Sequence, residues 1–390
     1  MKYFVLLLFL FCCFISPCQN VEKDVEHIEV YHEKGKFGGW PANFGIWNWG
    51  NEILVGFAQG SYKNLGTERH NIDREKPEYH LMARSKDGGK TWAIEDPARD
   101  NNGALFVPDN GSYHGVARTD IQFQEIQKPS NINFSHSDFA LSVKMTNGDG
   151  GKSFYWYSYN RGNTWRGPFQ LPEFNGMGTA PRTDYLIDNK KTCTLFLTAP
   201  KSDGEEGRVI CVRTKDGGKT WKFLSYIGTE PPIGYSIMPA SVRLSESEIL
   251  VTAREKRENA SYISTYYSAD NGKSWTEWKN AVKEAGIGNP PAMVKMMDGR
   301  ICLIYGYRAD VKSIESGEKT SDIRAKLSSD NGKTWSKDYL LRNDGSGRDV
   351  GYPRVIQRPD GKIVTVYYFM DQKTGPERYI GATIWDPPKP

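Results

Sequence analysis

The sequence predicts a six-bladed β-propeller, an all-β fold in which antiparallel sheets stand as blades around a central channel. Three observations support this prediction: a short turn pattern occurs five times, its copies are about one blade apart, and no long amphipathic helical periodicity is present. Because propellers grow by adding blades, a chain of 390 residues fits a single domain of this kind.

The repeated pattern is a turn of eight residues that ends in tryptophan. Its Asp accepts hydrogen bonds from backbone N–H groups of the turn, and the Gly two residues later favours a positive φ. The Trp three residues after that Gly is placed to pack between neighbouring sheets. In the second copy Asn160 replaces the Asp, and we expect the turn to persist because an amide oxygen accepts the same bonds. The copies are Ser85–Trp92, Ser158–Trp165, Thr214–Trp221, Ser268–Trp275 and Ser328–Trp335.

Successive copies begin 73, 56, 54 and 60 residues apart, which fits four-stranded blades with loops of variable length. The sixth blade has no copy, but strands are predicted at Val355–Arg358, Lys362–Phe369 and Tyr379–Trp385. Its fourth strand is predicted to come from the N-terminus, at His27–His32. Pairing of the first and last segments would close the ring and remove two open sheet edges.

Residues 1–18 have the pattern of a signal peptide, and residues 19–390 are predicted to form the propeller. One Lys precedes an apolar stretch of about 12 residues, which is too short to span a bilayer. Cys18 resembles the lipid-bearing cysteine of a bacterial lipoprotein, although Pro17 is unusual there; plain secretion and an uncleaved anchor are the alternatives. We expect an exported monomer, either periplasmic, attached to the outer membrane through lipid on Cys18, or secreted.

Charge and motifs exclude several other classes of protein. The formal net charge of +4 comes from 51 basic and 47 acidic residues that are spread evenly, so nucleic-acid binding has no support. The sequence contains no zinc-type spacing, P-loop, dinucleotide fingerprint or EF-hand loop, and neither a metal nor a cofactor is expected. Cys193 and Cys211 could pair across adjacent strands, but buried free thiols are favoured for these two and for Cys302.

The repeated turn is the Asp-box, and the chain resembles the sialidase (neuraminidase) superfamily of BNR-repeat propellers. For the fold, the resemblance covers nearly the whole mature chain. It implies an exo-acting glycoside hydrolase with a carbohydrate substrate. Function in propellers usually lies where the loops that enter the innermost strands meet.

Alignment of the blades by their Asp-boxes brings six segments to that end of the channel. Five of the six contain a Pro, which suits the first residue of a strand. The segments are Trp40–Asn43, Val116–Asp120, Ala180–Asp184, Met238–Ser241, Asn289–Ala292 and Gly351–Arg354. Their candidate substrate-binding residues are Trp40, Asn43, Arg118, Asp120, Arg182, Asp184 and Arg354.

Sialidases hold the carboxylate of the substrate with three Arg, because a guanidinium binds a carboxylate bidentately. The resemblance implies that Arg254 and Arg308, which each follow the second strand of a blade, match two of them. The third belongs to an Arg-Ile-Pro motif in the first blade, where this chain has Trp40-Pro41-Ala42. Arg182 or Arg354 would have to complete the set.

The resemblance also implies catalytic residues. Asp73 matches the acid that sialidases place in the loop before the first Asp-box, and this charged loop, with His70, is predicted to form a lid over the site. Tyr352 matches the nucleophilic Tyr of the family. The Glu that activates this Tyr has no counterpart at its usual position, and Glu255 is the nearest candidate.

Two alternative functions remain open at this stage. One is a propeller rhamnosidase or lyase that acts on rhamnosyl-glucuronate in plant polysaccharides, in which Tyr113 and His114 would share the acid and base roles. The other is a non-catalytic glycan-binding propeller. Because Trp40 offers an aromatic face where sialidases have a cation, we expect weak activity on α-sialosides and a neutral or uronic-acid-containing terminus.

Overall fold

The computed structural model describes residues 19–20, 25–100, 116, 118, 120–121, 124–129 and 131–390. Tyr113, His114 and Cys18 therefore lie outside the described residues, as does the predicted signal peptide. No helix in the part of the chain that the structure describes is long and apolar enough to cross a membrane.

The described chain folds into six sheets that follow one another along the sequence, which confirms the predicted six-bladed propeller. Strands of the first three blades are β3 (Lys36–Gly39), β4 (Ile46–Trp49), β5 (Glu52–Ser61), β6 (Tyr79–Ser85) and β7 (Ala93–Glu95); β8 (Ala140–Met145), β9 (Ser153–Ser158) and β10 (Arg166–Gln170); and β11 (Ala180–Ile187), β12 (Cys193–Pro200), β13 (Glu206–Thr214) and β14 (Lys222–Ile227).

The other three blades contain the remaining strands, and short helices occur in two connections. The strands are β15 (Tyr235–Arg243), β16 (Ile249–Arg257), β17 (Ala260–Ser268) and β18 (Thr276–Val282); β19 (Ala292–Lys295), β20 (Ile301–Tyr307), β21 (Ser321–Ser328), β22 (Tyr339–Gly345) and the short parallel β1 (Gln19–Asn20); and β23 (Gly351–Gln357), β24 (Ile363–Phe369), β25 (Tyr379–Trp385) and β2 (Val25–Tyr31). The helices are α1 (Pro97–Asp100) and α2 (Val311–Glu315).

The N-terminal strand closes the ring, as predicted. β2 pairs antiparallel with β25, so that Val25 lies opposite Trp385 and His27 lies opposite Thr383. Apolar side chains of blades 6 and 1, including Val364 and Ile53, form one continuous buried cluster across this closure. The closure leaves no open gap between the first and last blades.

The Asp-box turns form the predicted hydrogen bonds. Asp87 accepts from the backbone N–H groups of Lys90 and Thr91 at 3.1 and 2.9 Å, and the Thr91 hydroxyl donates to the same carboxylate at 2.7 Å. Asn160 replaces this carboxylate successfully, because its oxygen accepts from the N–H of Thr164 at 2.9 Å. Its amide nitrogen also donates to the Thr164 hydroxyl at 2.9 Å.

Each turn packs against the blade that precedes it in the ring. The ring of Trp165 in blade 2 lies 5.6 Å from that of Trp47 in blade 1, and Trp275 in blade 4 lies 6.3 Å from Phe196 in blade 3. Gly272, at a φ of 83°, leaves room for the Cys211 sulfur of blade 3, which would lie 3.1 Å from an added Cβ. The Asp-boxes therefore join neighbouring sheets as well as closing hairpins.

The Asp-box carboxylate gives a stability prediction, for which the second copy, with Asn160 in place of Asp, is the comparison. We expect Asp270→Ala to lower the free energy of unfolding by about 1 kcal/mol, since it removes bonds to Ser274, while Asp270→Asn loses less, as in the second copy. The Ser274 hydroxyl lowers the pKa of Asp270 from 3.8 to about 2. The ionised Asp270 carboxylate therefore stabilises the fold above pH 3.8, and this stabilisation is lost as the pH falls towards 2. Urea unfolding measured across this pH range should show the loss in wild type but not in Asp270→Asn.

The structure corrects the prediction for the start of blade 2 and decides the state of the cysteines in blade 3. The segment Val116–Asp120, which was predicted to lie at the entry to an inner strand, forms no strand in its described residues: Val116 makes an isolated bridge with Pro77, and β8 is the edge strand that packs beside β11. Cys193 lies opposite Thr214 in the β12–β13 pairing, and Cys211 lies opposite Phe196. Because Cys193 and Phe196 are three residues apart, the two thiols point to opposite faces, and both are free, as is Cys302.

Candidate functional site

Several of the predicted residues meet in a cavity of about 360 Å³ at the end of the channel where the inner strands begin. Three blades contribute inner-strand residues, and the loop before the first Asp-box contributes from above. The lining residues are Trp40, Asn43, His70, Arg74, Arg182, Glu206, Tyr235, Ile237, Met238, Arg254 and Tyr352. We call this space the mouth cavity.

The backbone of the mouth cavity is strained at three matching positions. Trp40, Met238 and Tyr352 have φ values of 55°, 54° and 50°, in the left-handed region that side chains larger than Gly rarely adopt. Each precedes a Pro, which normally favours an extended conformation in the residue before it. Such conformations persist where the surrounding structure enforces them, and they concentrate at functional sites. The shared feature in the sequence is a residue larger than Gly directly before a Pro.

Asn289 holds the strained turn at the start of β23. Its side-chain oxygen accepts the N–H of Tyr352 at 2.8 Å, and its amide donates to the carbonyl of Val350 at 2.9 Å. A Cβ on Gly351, whose φ is 103°, would lie 2.3 Å from the Asn289 amide nitrogen. A residue larger than Gly is therefore excluded at position 351, and the Tyr352 ring is fixed in the mouth cavity.

Arg254 is a buried cation with little local compensation. One nitrogen of its guanidinium donates to Tyr352 Oη at 3.1 Å, and its Nε has no hydrogen-bond partner among the described residues. Its central carbon lies 5.3 Å from the centre of the Tyr235 ring. No carboxylate of the described chain lies within ion-pair distance of it. An arginine in this state is suited to an anionic ligand group.

Arg182 and Glu206 form a charged pair in the cavity. Arg182 donates to Glu206 Oε1 at 3.3 Å and to Asn43 Oδ1 at 2.8 Å. Burial raises the pKa of the Glu206 carboxyl group, although the charges of Arg182 and Arg254 partly oppose this effect. A carboxyl group with a raised pKa keeps its proton to a higher pH than an exposed one, which suits a general acid or base. Glu206 was missed in the sequence because it follows Glu205 in a polar hairpin that resembles an ordinary solvated turn.

Arg308 lies behind the mouth cavity rather than in it. Its Nε donates to the carbonyl of Val350 at 2.8 Å, and its guanidinium contacts both Asp349 and the Tyr368 hydroxyl. The guanidinium carbon lies 5.0 Å from the centre of the Tyr352 ring. The predicted pair of clamp arginines is therefore divided between two positions: Arg254 lines the cavity, whereas Arg308 supports the Tyr352 ring.

The loop before the first Asp-box, which was predicted to form a lid, contributes His70 and Arg74 to the lining of the mouth cavity. His70 Nδ1 lies 2.8 Å from Asp349 Oδ1, and the His70 ring meets the Trp40 ring edge-on at 5.1 Å. Glu68 adds an ion pair with Arg348 at 2.9 Å. Burial alone would raise the pKa of Asp349, but the charges of His70, Arg378 and Arg308 hold it far below its usual value. The loop is thus attached to the segment before β23 by the Glu68–Arg348 ion pair and by the contact between His70 and Asp349.

Asp73 does not line the mouth cavity, although its loop does. Its carboxylate accepts the N–H of Glu75 at 3.2 Å and lies 3.4 Å from the ammonium of Lys63 and 3.8 Å from that of Lys76. These contacts close a local turn and orient Asp73 towards the lysines. His70 and Arg74 are the residues that this loop contributes to the cavity.

Glu255 is also outside the mouth cavity, because side chains alternate along a strand. It follows Arg254 on β16 and points to the opposite face. There its carboxylate accepts from the hydroxyls of Ser236 and Ser264, both at 2.7 Å, and pairs with Arg257 at 2.7 Å. Glu206, rather than Glu255, is the carboxyl group that the fold brings to Tyr352 and Arg254.

Arg118 and Asp120 belong to a separate ion-pair group. Arg118 lies 2.8 Å from Asp96 and 2.7 Å from Asp120, and its guanidinium stacks over the Tyr79 ring at 4.5 Å. Its charge is therefore balanced by two carboxylates away from the mouth cavity. The prediction that this segment enters an inner strand is wrong, which explains why these residues do not reach the site.

Asp184 and Arg354 lie further along the channel. Arg354 donates to the carbonyls of Pro41 and Ala42 at 3.4 and 2.6 Å, and burial lowers its pKa to about 10. It thereby supports the 3₁₀ turn (Pro41–Asn43) that presents Asn43. Burial raises the pKa of Asp184 to about 6. Both residues line a second cavity, described below.

A buried titratable cluster beside the mouth cavity was not predicted. Lys144 Nζ lies 2.6 Å from His80 Nδ1, and His80 Nε2 lies 3.4 Å from Glu78 Oε1. Burial lowers the pKa of Lys144 to about 7. A small space bounded by these residues also touches Asn43, so the cluster adjoins the site. These residues carry no motif, and only their packing in three dimensions reveals the cluster.

The mouth cavity is therefore cationic and partly aromatic. Three Arg and one Glu line it, together with the rings of Trp40, Tyr235 and Tyr352. Aromatic faces pack against sugar rings, and guanidinium groups bind carboxylates. The described residues contain no group of three or more His, Cys, Asp or Glu able to hold a metal ion. The cavity thus presents cationic groups and aromatic faces to a ligand.

Comparisons with known proteins agree with this architecture. A protein of unknown function from Dyadobacter fermentans is 18% identical over 93% of this chain and 98% of its own, with a TM-score of 0.67. The NanB sialidase of Streptococcus pneumoniae is 12% identical over 91% of this chain and 70% of its own, with a TM-score of 0.55. An α-L-arabinanase of Penicillium chrysogenum, bound to arabinobiose, is 14% identical over 92% and 97%, with a TM-score of 0.56. At these identities the likeness shows the fold.

No curated protein matches the chain in sequence. The family model of the BNR repeat-like domain matches residues 138–365, which is more than half of the chain. That span begins before the second Asp-box and continues to β24. The protein therefore belongs to the BNR repeat-like domain family and has the β-propeller fold that sialidases share.

Proposed function

We propose that this protein is a glycoside hydrolase that removes a terminal sugar lying at or beside a carboxylate in a glycan. The observation that carries the proposal is the buried guanidinium of Arg254, which donates to Tyr352 Oη at 3.1 Å and has an unpartnered Nε among the described residues. A buried cation without a carboxylate partner is costly unless a ligand supplies the anion. Solved propellers of similar fold that are described as sialidases support this reading.

The residues of the mouth cavity take distinct roles in this proposal. Arg254 and Arg182 bind the carboxylate, and the Trp40 ring packs against a sugar face. Tyr352 Oη forms a bond to the anomeric carbon as the glycosidic oxygen leaves, and water later hydrolyses that bond. The positive charge of Arg254 stabilises the phenolic oxygen as its proton departs. Glu206, whose pKa is raised by burial, accepts the proton of Tyr352 Oη and passes it to the departing glycosidic oxygen. In the second step a proton passes from the attacking water through Glu206 to Tyr352 Oη as the bond to the sugar breaks.

The lining residues favour a terminus other than an ordinary α-sialoside. The first blade offers Trp40 and Asn43 where sialidases have an Arg, and the cation beside Asn43 comes from Arg182 of blade 3 instead. With the cation at this different position and the Trp40 ring added, the cavity suits a glycan whose terminal sugar is neutral or which contains a uronic acid. The similar arabinanase fold was solved with arabinobiose bound, which is consistent with neutral sugars in this architecture.

A panel of substrates tests this proposal. Purified protein should release little 4-methylumbelliferone from the α-sialoside but should cleave a rhamnosyl-glucuronate or another uronic-acid-containing oligosaccharide, as measured by reducing-end chromatography. A sialoside kcat/KM of about 10⁴ M⁻¹s⁻¹ or higher would restore the plain sialidase assignment. Binding of these glycans without any turnover would instead identify a glycan-binding propeller.

We also propose export, with lipid attached at Cys18. When the full-length protein is expressed in a bacterium with a labelled fatty acid, the wild type should incorporate the label and Cys18→Ser should not. Cys302→Ser serves as the control, because that thiol is buried in blade 5. Equal labelling of wild type and Cys18→Ser would exclude this attachment point. Absence of label from both, with the protein recovered outside the cytoplasm, would indicate plain secretion.

A further inference from the structure

A second cavity, of about 350 Å³, lies further along the channel from the mouth cavity. The same inner strands line both spaces with alternate residues: Arg182 then Asp184 on β11, and Tyr352 then Arg354 on β23. Ala42, Ile237 and Met238 form a small buried cluster, and the last two of these also line the mouth cavity. We call the second space the channel cavity; its principal lining residues are Trp47, Trp49, Asp184, Tyr185, Ser241 and Arg354.

The channel cavity contains polar atoms that the protein leaves without partners. Asp184 Oδ1 accepts the N–H of Ser241 at 3.3 Å, but Asp184 Oδ2 is inaccessible in this structure and has no hydrogen-bond partner among the described residues. The Ser241 hydroxyl lies beside the same carboxylate and is likewise unpartnered there. Asp184 and Ser241 both line the channel cavity, so their remaining hydrogen-bonding capacity is available to the hydroxyl groups of a ligand.

Aromatic side chains form the opposite part of the channel cavity. Trp47 donates its indole N–H to Tyr185 Oη at 3.1 Å, which fixes both rings. Trp49 is partly exposed, and Asn48 is exposed at the rim, so the cavity reaches the surface. Aromatic faces combined with an unsatisfied carboxylate and a hydroxyl recognise sugars, because C–H groups pack on the rings while hydroxyls donate to the carboxylate.

Charge and size narrow the class of ligand. Asp184 and Arg354 carry opposite charges, and no other charged side chain lines the channel cavity within the described part of the chain. A neutral ligand therefore fits better than an acidic one. A volume of about 350 Å³ lies at the lower end of the range for ligand cavities, which suits one sugar ring.

We propose that the channel cavity is a second carbohydrate-binding site, which takes one neutral monosaccharide unit. Asp184 and Ser241 accept and donate hydrogen bonds to its hydroxyls, and Trp49 packs against its apolar face. The site is separate from the mouth cavity and does not depend on hydrolysis there. It would allow the propeller to hold a neutral glycan unit at the end of the channel away from the mouth cavity.

Saturation-transfer NMR and tryptophan fluorescence titration of the full-length mature protein test this proposal, with galactose, rhamnose, xylose and arabinose as probes. At least one probe should bind saturably to wild type and to Arg254→Met, whose change lies in the mouth cavity. Trp49→Ala and Asp184→Ala should each weaken that binding by about tenfold or more, since they remove a packing face and a charged acceptor.

The matched control is Trp278→Ala, which removes another partly exposed Trp, stacked 4.5 Å from Tyr267 and outside both cavities. It should bind the probe as wild type does. If Asp184→Ala fails to fold, Trp49→Ala decides, because its ring lies at the rim. The proposal is overturned if no probe binds saturably. It is equally overturned if binding survives Trp49→Ala and Ser241→Ala but is lost in Arg254→Met, since that pattern places the sugar in the mouth cavity.

Discussion

Replacement of Arg254 by Met is expected to lower kcat/KM on an acidic glycan by about 30- to 1,000-fold, which corresponds to about 2–4 kcal/mol of lost charge-assisted binding. Met keeps the apolar stem against Tyr235 but removes the charge that contacts Tyr352. Because no carboxylate of the described residues pairs with Arg254, its loss should leave the thermal midpoint nearly unchanged or higher. Activity and stability should therefore respond differently.

The control for this variant is Arg300→Met. Arg300 is about as buried as Arg254, at 8% against 9% exposure, but it pairs with Asp298 in a turn outside the mouth cavity. We expect its variant to keep full kcat/KM while losing some stability. Arg254→Met with unchanged kcat/KM on every acidic glycan that the protein cleaves would show that the carboxylate binds elsewhere.

Replacement of Tyr352 by Phe is expected to reduce kcat by on the order of 10³-fold or more while changing KM little, because the variant keeps the ring and removes the attacking oxygen. The matched control is Tyr235→Phe, which removes a hydroxyl from another ring of the same cavity. Stopped assays on the substrate identified by the panel would measure both. Comparable losses in the two variants would mean that Tyr352 acts in binding rather than in bond formation.

Most of the fold was predictable because its information is local. Each Asp-box specifies its own turn through one carboxylate and one Gly, and Asn160 shows that the turn tolerates the amide. The closing strand at His27–His32 was placed correctly to within two residues, because the missing fourth strand of blade 6 pointed to the N-terminal segment. The prediction for Val116–Asp120 was wrong because alignment by Asp-boxes assumes blades of equal construction. The interval between the first and second Asp-boxes, which contains this segment, is the longest of the four.

The site was only partly predictable, for a different physical reason. Trp40, Arg182 and Tyr352 each lie beside a Pro at the predicted entry to an inner strand, so their spacing from an Asp-box locates them. Glu206 reaches the same cavity from a hairpin whose sequence resembles a solvated turn. Glu255 was predicted to share the site with Arg254, but it is the next residue on β16, and adjacent residues of a strand point to opposite faces. Which carboxyl group faces a cavity depends on strand register, and the spacing between motifs does not specify it.

The central claim is that Tyr352 forms a bond to the substrate within the mouth cavity. Rapid acid quenching during turnover of the cleaved glycan, followed by intact-mass and peptide mass spectrometry, tests it most directly. The account predicts an added glycosyl mass on the peptide that contains Tyr352, absent from Tyr352→Phe and retained in Tyr235→Phe. A glycosyl adduct on any other residue, such as Glu206 or Glu255, would contradict it.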